Sequence, residues 1–482
     1  MAKISFIGAG SIVFAKTIMM DIMATEELRD GEICLMNRGK PKLARINAFA
    51  QRVVKDNNLP TQITATTDPT KALEGADYVV LMFDTGGLAA YEHEYKIPMK
   101  YGVDQCIGDT LGPGGVFRAL RTIPVVVNYA RMMEELCPGA LLLNYVNPMA
   151  AVCYALGQEA KVPFVGLCHG VQTTIDLVAH VLGEKKEDLD YLAAGINHMA
   201  WFLRLEKGGK DVYPKFRRLC EKPEVYKIEK VRIETMRQFG YFMTESTGHL
   251  SEYLPYFRKT KKALATYCDE PAFGGESGAY YKYAVALAKK FKNVDPLEFE
   301  NTTIGAPSAE YCTHIIKAHQ SGEPFRLNGN VRNDGLIDNL TQGCCVEVPC
   351  FIDKMGIHPT HVGNLPPQCA ALNQTNVTVQ GLAKEAALTG DPELAFAACA
   401  LDPLASAVCT LHEIREMTGE MLTKLARFLP QFKGKGGKLA ARNPVKVTAR
   451  TKGIEAPLDP ALAIGNRFGQ LATMKTTRRR KH

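Results

Sequence analysis

Apolar positions near the start of the chain fall in two alternating rhythms. Residues 3–7 form a compact apolar run that predicts a short buried strand. Gly8-Ala9-Gly10-Ser11 follows, and helical spacing then continues to about Ala24. Ile33–Met36 reads as a second strand and Ala44–Val54 as a second helix. Strand-like runs recur at Tyr78–Phe83, Ala140–Leu143 and Phe164–Leu167, with helical stretches between them. Strands alternating with helices predict a parallel sheet covered on both faces, here a Rossmann-type, doubly wound α/β domain over residues 1–190.

The rhythm changes after Lys207. Amphipathic helices are expected at Lys227–Phe239 and Ala279–Lys290, a β-rich patch around Val346–Ile352, and further helices at Pro367–Leu388, Pro392–Ala400 and Ala405–Leu425. This predicts a second, mixed α+β domain over residues 191–432. Residues 433–482 show no apolar periodicity and read as a flexible tail.

Charge sharpens that division. The net charge is +7, but the tail holds 13 Lys or Arg against only Glu455 and Asp459, which leaves the preceding body mildly acidic. The tail is read as a solvated appendage rather than a nucleic-acid arm. A composition of 46% hydrophobic and 23% charged residues is that of a soluble globular protein, and no apolar run is long enough for a membrane span. Met1-Ala-Lys leads straight into the first strand, so no secretory leader is expected. The 14 cysteines lack paired spacing, which argues against a disulfide framework and for a reducing cytoplasm. Cys344, Cys345 and Cys350 are expected to be buried apolar-like residues.

Gly8-x-Gly10-Ser11, between a strand and a helix, suits a pyrophosphate, because glycines allow close approach and the helix start offers N–H groups. The fingerprint is incomplete, since its third glycine is replaced by Val13. The second strand ends in Asn37-Arg38 where an acid normally binds the ribose hydroxyls. NAD is the preferred cofactor on this reading, while the missing carboxylate and Arg38 keep NADP open. Thr85 and Gly86, after the Tyr78–Phe83 run, form a second loop against the dinucleotide.

Downstream lie four chemically dense segments. Gly108-Asp109-Thr110-Leu111-Gly112-Pro113-Gly114-Gly115 precedes a helix bearing Arg118 and Arg121, and Asn144-Tyr145-Val146-Asn147-Pro148 closes a strand. Gly166-Leu167-Cys168-His169-Gly170 and Gly195-Ile196-Asn197-His198 follow. A thiolate at Cys168 and an imidazole at His198 suit a divalent transition metal and leave coordination positions free for substrate. Together with Thr244-Glu245-Ser246-Thr247-Gly248-His249-Leu250-Ser251-Glu252-Tyr253, these segments resemble glycoside hydrolase family 4. The resemblance runs from residue 3 to about 430. The later run from Asn328 to Asn339, with Gly343-Cys-Cys-Val-Glu-Val, is similar to the α-galactosidase branch. Cys168-His169 resembles members acting on non-phosphorylated sugars.

The resemblance implies a glycosidase that uses NAD and a divalent metal, usually manganese, and not the two carboxylates of other glycosidases. Oxidation at C3 of the sugar would acidify the C2 proton. A base would remove it, the metal would stabilise the enediolate, and elimination, water addition and hydride return would complete hydrolysis. Cys168 and His198 would be the ligands, with Asn147 and Arg118 orienting substrate. Tyr253, His249 and Glu245 are candidates for the base, and Asp109 and His169 for the acid at the leaving group. The expected partners are a small glycoside and further copies of the chain, in a homodimer or homotetramer, with no membrane. The same family acting on α-glucosides or hexuronides, an NAD-dependent 2-hydroxy-acid dehydrogenase, and a nucleotide-sensing binding protein are the alternatives. The dehydrogenase would release NADH with each turnover and gives no reason for pairing Cys168 with His198.

Overall fold

The computed structural model describes residues 1–10, 14–292, 295–298, 300–434, 438–453 and 472. Contacts divide the chain into a compact unit spanning Met1–Ala440 and a second unit from Ala441 onward. Among the described residues of the second unit, the Thr448–Thr451 turn carries the hydrogen bonds. The expected flexible character of residues 454–471 and 473–482 lies outside the described residues.

The first unit is built on one 13-stranded sheet. Its strands are β1 (Lys3–Ile7), β2 (Glu32–Met36), β3 (Gln62–Thr66), β4 (Tyr78–Leu81), β5 (Leu141–Asn144), β6 (Phe164–Gly166), β7 (Leu189–Ile196), β8 (Met199–Lys207), β9 (Lys210–Asp211), β10 (Phe242–Met243), β11 (Phe325–Arg332), β12 (Cys345–Asp353) and β13 (Gly356–Pro359). The first six lie parallel in the order β3-β2-β1-β4-β5-β6. This is the doubly wound arrangement expected from the sequence, whose order reverses beside β1 and so opens a crevice at the strands' carboxyl ends. Beyond β6 the sheet continues antiparallel through β11, β12, β7, β8 and β10. The strand β7 crosses the expected domain boundary near residue 190.

Crossover helices cover the parallel strands: α1 (Phe14–Ala24), α2 (Lys40–Asp56), α3 (Pro69–Leu73), α4 (Gly87–Lys100), α5 (Gly112–Leu136), α6 (Met149–Glu159) and α7 (Gly170–Leu182). Unlike a surface helix with one apolar stripe, α5 is buried around most of its circumference. The helix Pro367–Thr389 packs against it, so the C-terminal half of the chain roofs the nucleotide half. The expected single helix Ala405–Leu425 is two helices, Pro403–Val408 and Leu411–Lys424. The break has a local cause: the Thr410 side chain accepts from the Glu413 N–H while Glu413 reaches back, so Thr410 starts a new helix with a reciprocal cap.

A β7–β8 hairpin, absent from the sequence reading, carries the chain's only tryptophan. Trp201 is fully buried, and its Nε1 donates to Asn373 Oδ1 at 3.0 Å, while Asn373 Nδ2 donates to the Met199 carbonyl at 2.8 Å. These two bonds fix the hairpin tip against the helix Pro367–Thr389. All 14 cysteines are free, and Cys344, Cys345 and Cys350 are buried as expected. Among the described residues, no helix is long and apolar enough to cross a membrane.

Asp402 joins the C-terminal half to the start of α5. Its carboxylate accepts from Gly112 N at 3.0 Å and from Ala405 N at 2.8 Å. Burial pushes this carboxyl from 3.8 up to about 6, against the hydrogen bonds that favour its charged form. The folded chain therefore keeps a proton that the unfolded chain has released. The stabilisation is complete below about pH 4 and is lost as pH rises through about 6. Asp402→Asn should flatten this fall, with an effect of at most roughly 3 kcal/mol. Urea unfolding from pH 4 to 7 measures it, and parallel curves for the two proteins would refute the assignment.

Candidate functional site

The dense segments meet where the parallel strands end. Cys168 follows β6, and Asn147 follows β5. His198 sits in the tip between β7 and β8, and Asp109 in the loop before α5. Glu245 precedes the short helix Thr247–Tyr253, on which His249 and Tyr253 stand one turn apart. His198 (φ 64°) and Glu245 (φ 86°) occupy the left-handed region, a conformation that costs non-glycine residues of order 1–3 kcal/mol and concentrates at functional sites.

The side chains converge. His198 Nε2 lies 3.3 Å from Glu245 Oε2, and His249 Nδ1 lies 3.8 Å from the same oxygen. Donor atoms of His198, Glu245 and His249 all fall within 4.8 Å of one another. Cys168 Sγ accepts from Gly170 N at 3.5 Å and feels the charge of the adjacent His198. Sulfur, imidazole and carboxylate donors in one cluster fit a divalent transition metal. The donor atoms that lie mutually close are those of His198, Glu245 and His249, with Cys168 beside His198 but outside that group.

Electrostatics fixes the charge on each group. Burial raises the Cys168 thiol, but the adjacent His198 outweighs it and brings it below its ordinary value. Burial lowers His198, yet Glu245 and then Cys168 carry it up to about 10. For Glu245, burial is overcome by His198 and His249, which hold the carboxyl at about 2. His249 differs: burial and the charge on His198 depress it to about 4, against Glu245 and Asp109. The cluster therefore sets an imidazolium, a carboxylate and a neutral imidazole beside a thiol whose ionisation His198 favours.

A cavity of about 490 Å³ opens over the cluster, lined by Asp109, Asn147, His198, Glu245 and His249 together with Ile107, Ser246, Phe273 and Tyr280. Tyr253 is fully buried behind it. Its hydroxyl lies 2.9 Å from His198 Nδ1 and 3.5 Å from His249 Nε2, and burial drives it well above the usual phenol range. Arg118 also stands behind the wall, 3.6 Å from both Asp84 and Asp109. His169 is turned away onto Glu310 at 2.7 Å and stacks on Tyr311.

A second cavity, of about 450 Å³, lies at the ends of β1, β2 and β4 and is lined by Gly8, Asn37, Arg38, Thr85 and Gly86, all anticipated. Gly8 (φ 94°) could carry no Cβ, which would meet Phe83 Cβ at 2.6 Å. A strand-to-helix turn stripped of side-chain bulk beside such a cavity fits a dinucleotide. Ser11 lies outside the described residues. Arg121 and Asp84, whose roles the sequence did not indicate, border this cavity. Arg121 also holds Glu94 at 2.6 Å, so charges run from the nucleotide end through Asp84 and Arg118 to Asp109.

Glu252 is the main residue missed. It accepts from the N–H groups of Cys106 (2.9 Å), Ile107 (3.2 Å) and Gly108 (2.9 Å), and burial moves its carboxyl up to about 8. Its position three residues after His249, on the same helical face, was the available signal.

Sequence comparison matches residues 3–184 to the family 4 glycosyl hydrolases and residues 193–405 to their C-terminal domain. An α-galactosidase of Rhizobium meliloti is 41% identical over 89% of this chain and 89% of its own length. An α-galactosidase of Bacillus subtilis is 37% identical over 90% of this chain and all of its own length. The 6-phospho-β-glucosidase of Thermotoga maritima, solved with manganese, NAD+ and glucose-6-phosphate, shares the fold with a TM-score of 0.72 at 23% identity, covering 88% of this chain and 99% of that one.

Removing a cluster donor should weaken cation binding. Calorimetric titration of Mn2+ into His198→Ala, Glu245→Ala and Cys168→Ser should give affinities at least about tenfold below the unaltered protein. Unchanged affinity in any of them removes that residue from the ligand set.

Proposed function

The chain belongs to glycoside hydrolase family 4, and on that premise we propose that it hydrolyses α-galactosides carrying no phosphate. The supporting observation is the lining of the sugar-side cavity. It contains the carboxylates Asp109 and Glu245 and, among the described residues, no lysine or arginine. An uncharged sugar can enter it, whereas a 6-phosphate or a hexuronate would meet two carboxylates and no arginine or lysine, the His198 imidazolium being already paired with Glu245. The two α-galactosidase relatives support the same sugar.

Cys168, His198 and Glu245 would hold the metal ion, and the Gly8–Asn37–Thr85 cavity the dinucleotide. When bound, the dinucleotide would supply reversible hydride transfer at the sugar and the divalent ion would supply polarisation of the sugar oxygens. The protein's own groups do the rest. Asn147 lines the cavity with its Oδ1 engaged by Met149 N at 3.2 Å, so its amide N–H groups face the sugar hydroxyls. His249, the neutral imidazole on the wall, takes the C2 proton. Asp109, 3.6 Å from His249 Nε2, stabilises the resulting imidazolium. Asp109 rather than His169 also relays the proton held by His249 to the leaving oxygen, because His169 is bound to Glu310. Tyr253 holds the two histidines apart from within the core.

A cytoplasmic location follows on this reading from the free thiols. Assembly as a homodimer or homotetramer is supported by the exposed apolar side chains Phe273, Tyr283 and Val285.

Hydrolysis of an aryl α-galactoside should depend on both added dinucleotide and Mn2+, with the rate falling at least about 1000-fold when either is removed. In deuterated water the released galactose should carry deuterium at C2, because the proton leaves to His249 and returns from solvent. Full-rate hydrolysis without either addition, or galactose free of deuterium, refutes the mechanism. His249→Gln should abolish hydrolysis and deuterium uptake while Mn2+ affinity stays within about twofold. Joint loss of metal binding would place His249 among the ligands instead.

A further inference from the structure

In dinucleotide folds the adenosine ribose lies at the end of the second strand, where an acidic side chain normally binds its hydroxyls and repels a 2′-phosphate. Here β2 leads into Asn37 and Arg38, and both line the dinucleotide cavity. Asn37 is oriented: its Oδ1 accepts from Gly39 N at 3.3 Å. Its Nδ2 therefore faces Gly10, where an added Cβ would fall 1.9 Å away. A hydrogen-bond donor stands where other dinucleotide folds present an acceptor.

Cations surround that donor. Arg38 and Tyr129 of α5 both line the cavity, and the Arg38 charge works against the rise that burial imposes on the Tyr129 hydroxyl. Lys40 and Lys42 occupy the first turn of α2, behind the N-cap Gly39, and Lys42 Cβ is 3.1 Å from the same Gly10 position. Among the described residues, no ion pair engages Arg38, Lys40 or Lys42. The one carboxylate on the cavity lining, Asp84, is already matched by Arg121 and Arg118, which hold it at about 2 against burial. A planar guanidinium and an amide donor on the lining, beside a helix start that carries two lysines and with no free acid, form the complement of a dianionic phosphate.

Resting on the dinucleotide reading above, we propose that this turn recognises a 2′-phosphate, so that the chain takes NADP and holds it more tightly than NAD. Such a site selects the cofactor before any sugar binds, so binding itself tests it.

Calorimetric titration of the full chain, freed of dinucleotide, with NADP+ and with NAD+ provides the measurement. NADP+ is expected to bind at least about tenfold more tightly. Arg38→Ala should remove most of that margin by weakening NADP+ alone, and Asn37→Asp should reverse the order. Adenosine 2′,5′-bisphosphate should compete with NADP+ where ADP does not. Equal or tighter binding of NAD+ by the unaltered chain overturns the proposal, as does an Arg38→Ala variant that weakens both dinucleotides alike. If neither dinucleotide binds, the cofactor reading itself falls, and this result is distinct from tight binding of NAD+ alone.

Discussion

One buried carboxylate organises the reactive half of the molecule. Glu252 gathers three consecutive backbone N–H groups, those of Cys106, Ile107 and Gly108. A loop bound this way cannot shift without stranding three donors inside the protein, each costing about 1–3 kcal/mol. The loop carries Asp109, and the helix that bears Glu252 also carries His249 and Tyr253, so these bonds set the spacing between Asp109 and His249. Nearby, Arg258 repeats the device: it is fully buried, donates to the Gly275 carbonyl at 2.9 Å and pairs with Asp104. The loop before α5 is therefore pinned from two sides by buried side chains, the Glu252 carboxyl and the Arg258 guanidinium.

The nucleotide half was legible in the sequence because its strands are short apolar runs separated by helices, and because Gly8 and Gly10 mark the first turn. The parallel order follows from those signals with little help from tertiary contacts. The β7–β8 hairpin was not legible. Its strands are buried on both faces near the tip, over residues 193–196 and 199–202, and lack alternation there, and the tip is Asn197-His198 rather than a glycine-bearing turn. The residues that announced metal chemistry are the same ones that make the turn. The cluster of Cys168, His198, Glu245 and His249 was visible as chemistry, but its division of labour was not. Whether a histidine is charged depends on the distances to Glu245 and Asp109, which no spacing along the chain encodes. Glu252, Asp84 and Arg258 were missed for the same reason: an acid or a base in sequence looks alike whether solvated or enclosed.

The two cavities are separate, but their walls share charges. Arg121 and Arg118 lie on neighbouring turns of α5 and both hold Asp84, and Arg118 also faces Asp109. A buried network of this type is stable only when complete, since removing one member leaves its partner uncompensated. The two cavities are thus bordered by charged groups held from one helix, so a change at either wall bears on the other.

The sheet has a seam. Between β6 and β11 a single residue pair, Asn330 with Gly166, makes the register, and between β12 and β7 another single pair, Glu347 with Gly195, does so. Cys168 emerges from one side of these two joins and His198 from the other. An ion gripped by both would act as a clasp across the least-stitched part of the scaffold. Its binding energy would then be shared with cohesion of the sheet, so that the same atom that equips the enzyme for chemistry also keeps its two halves in register.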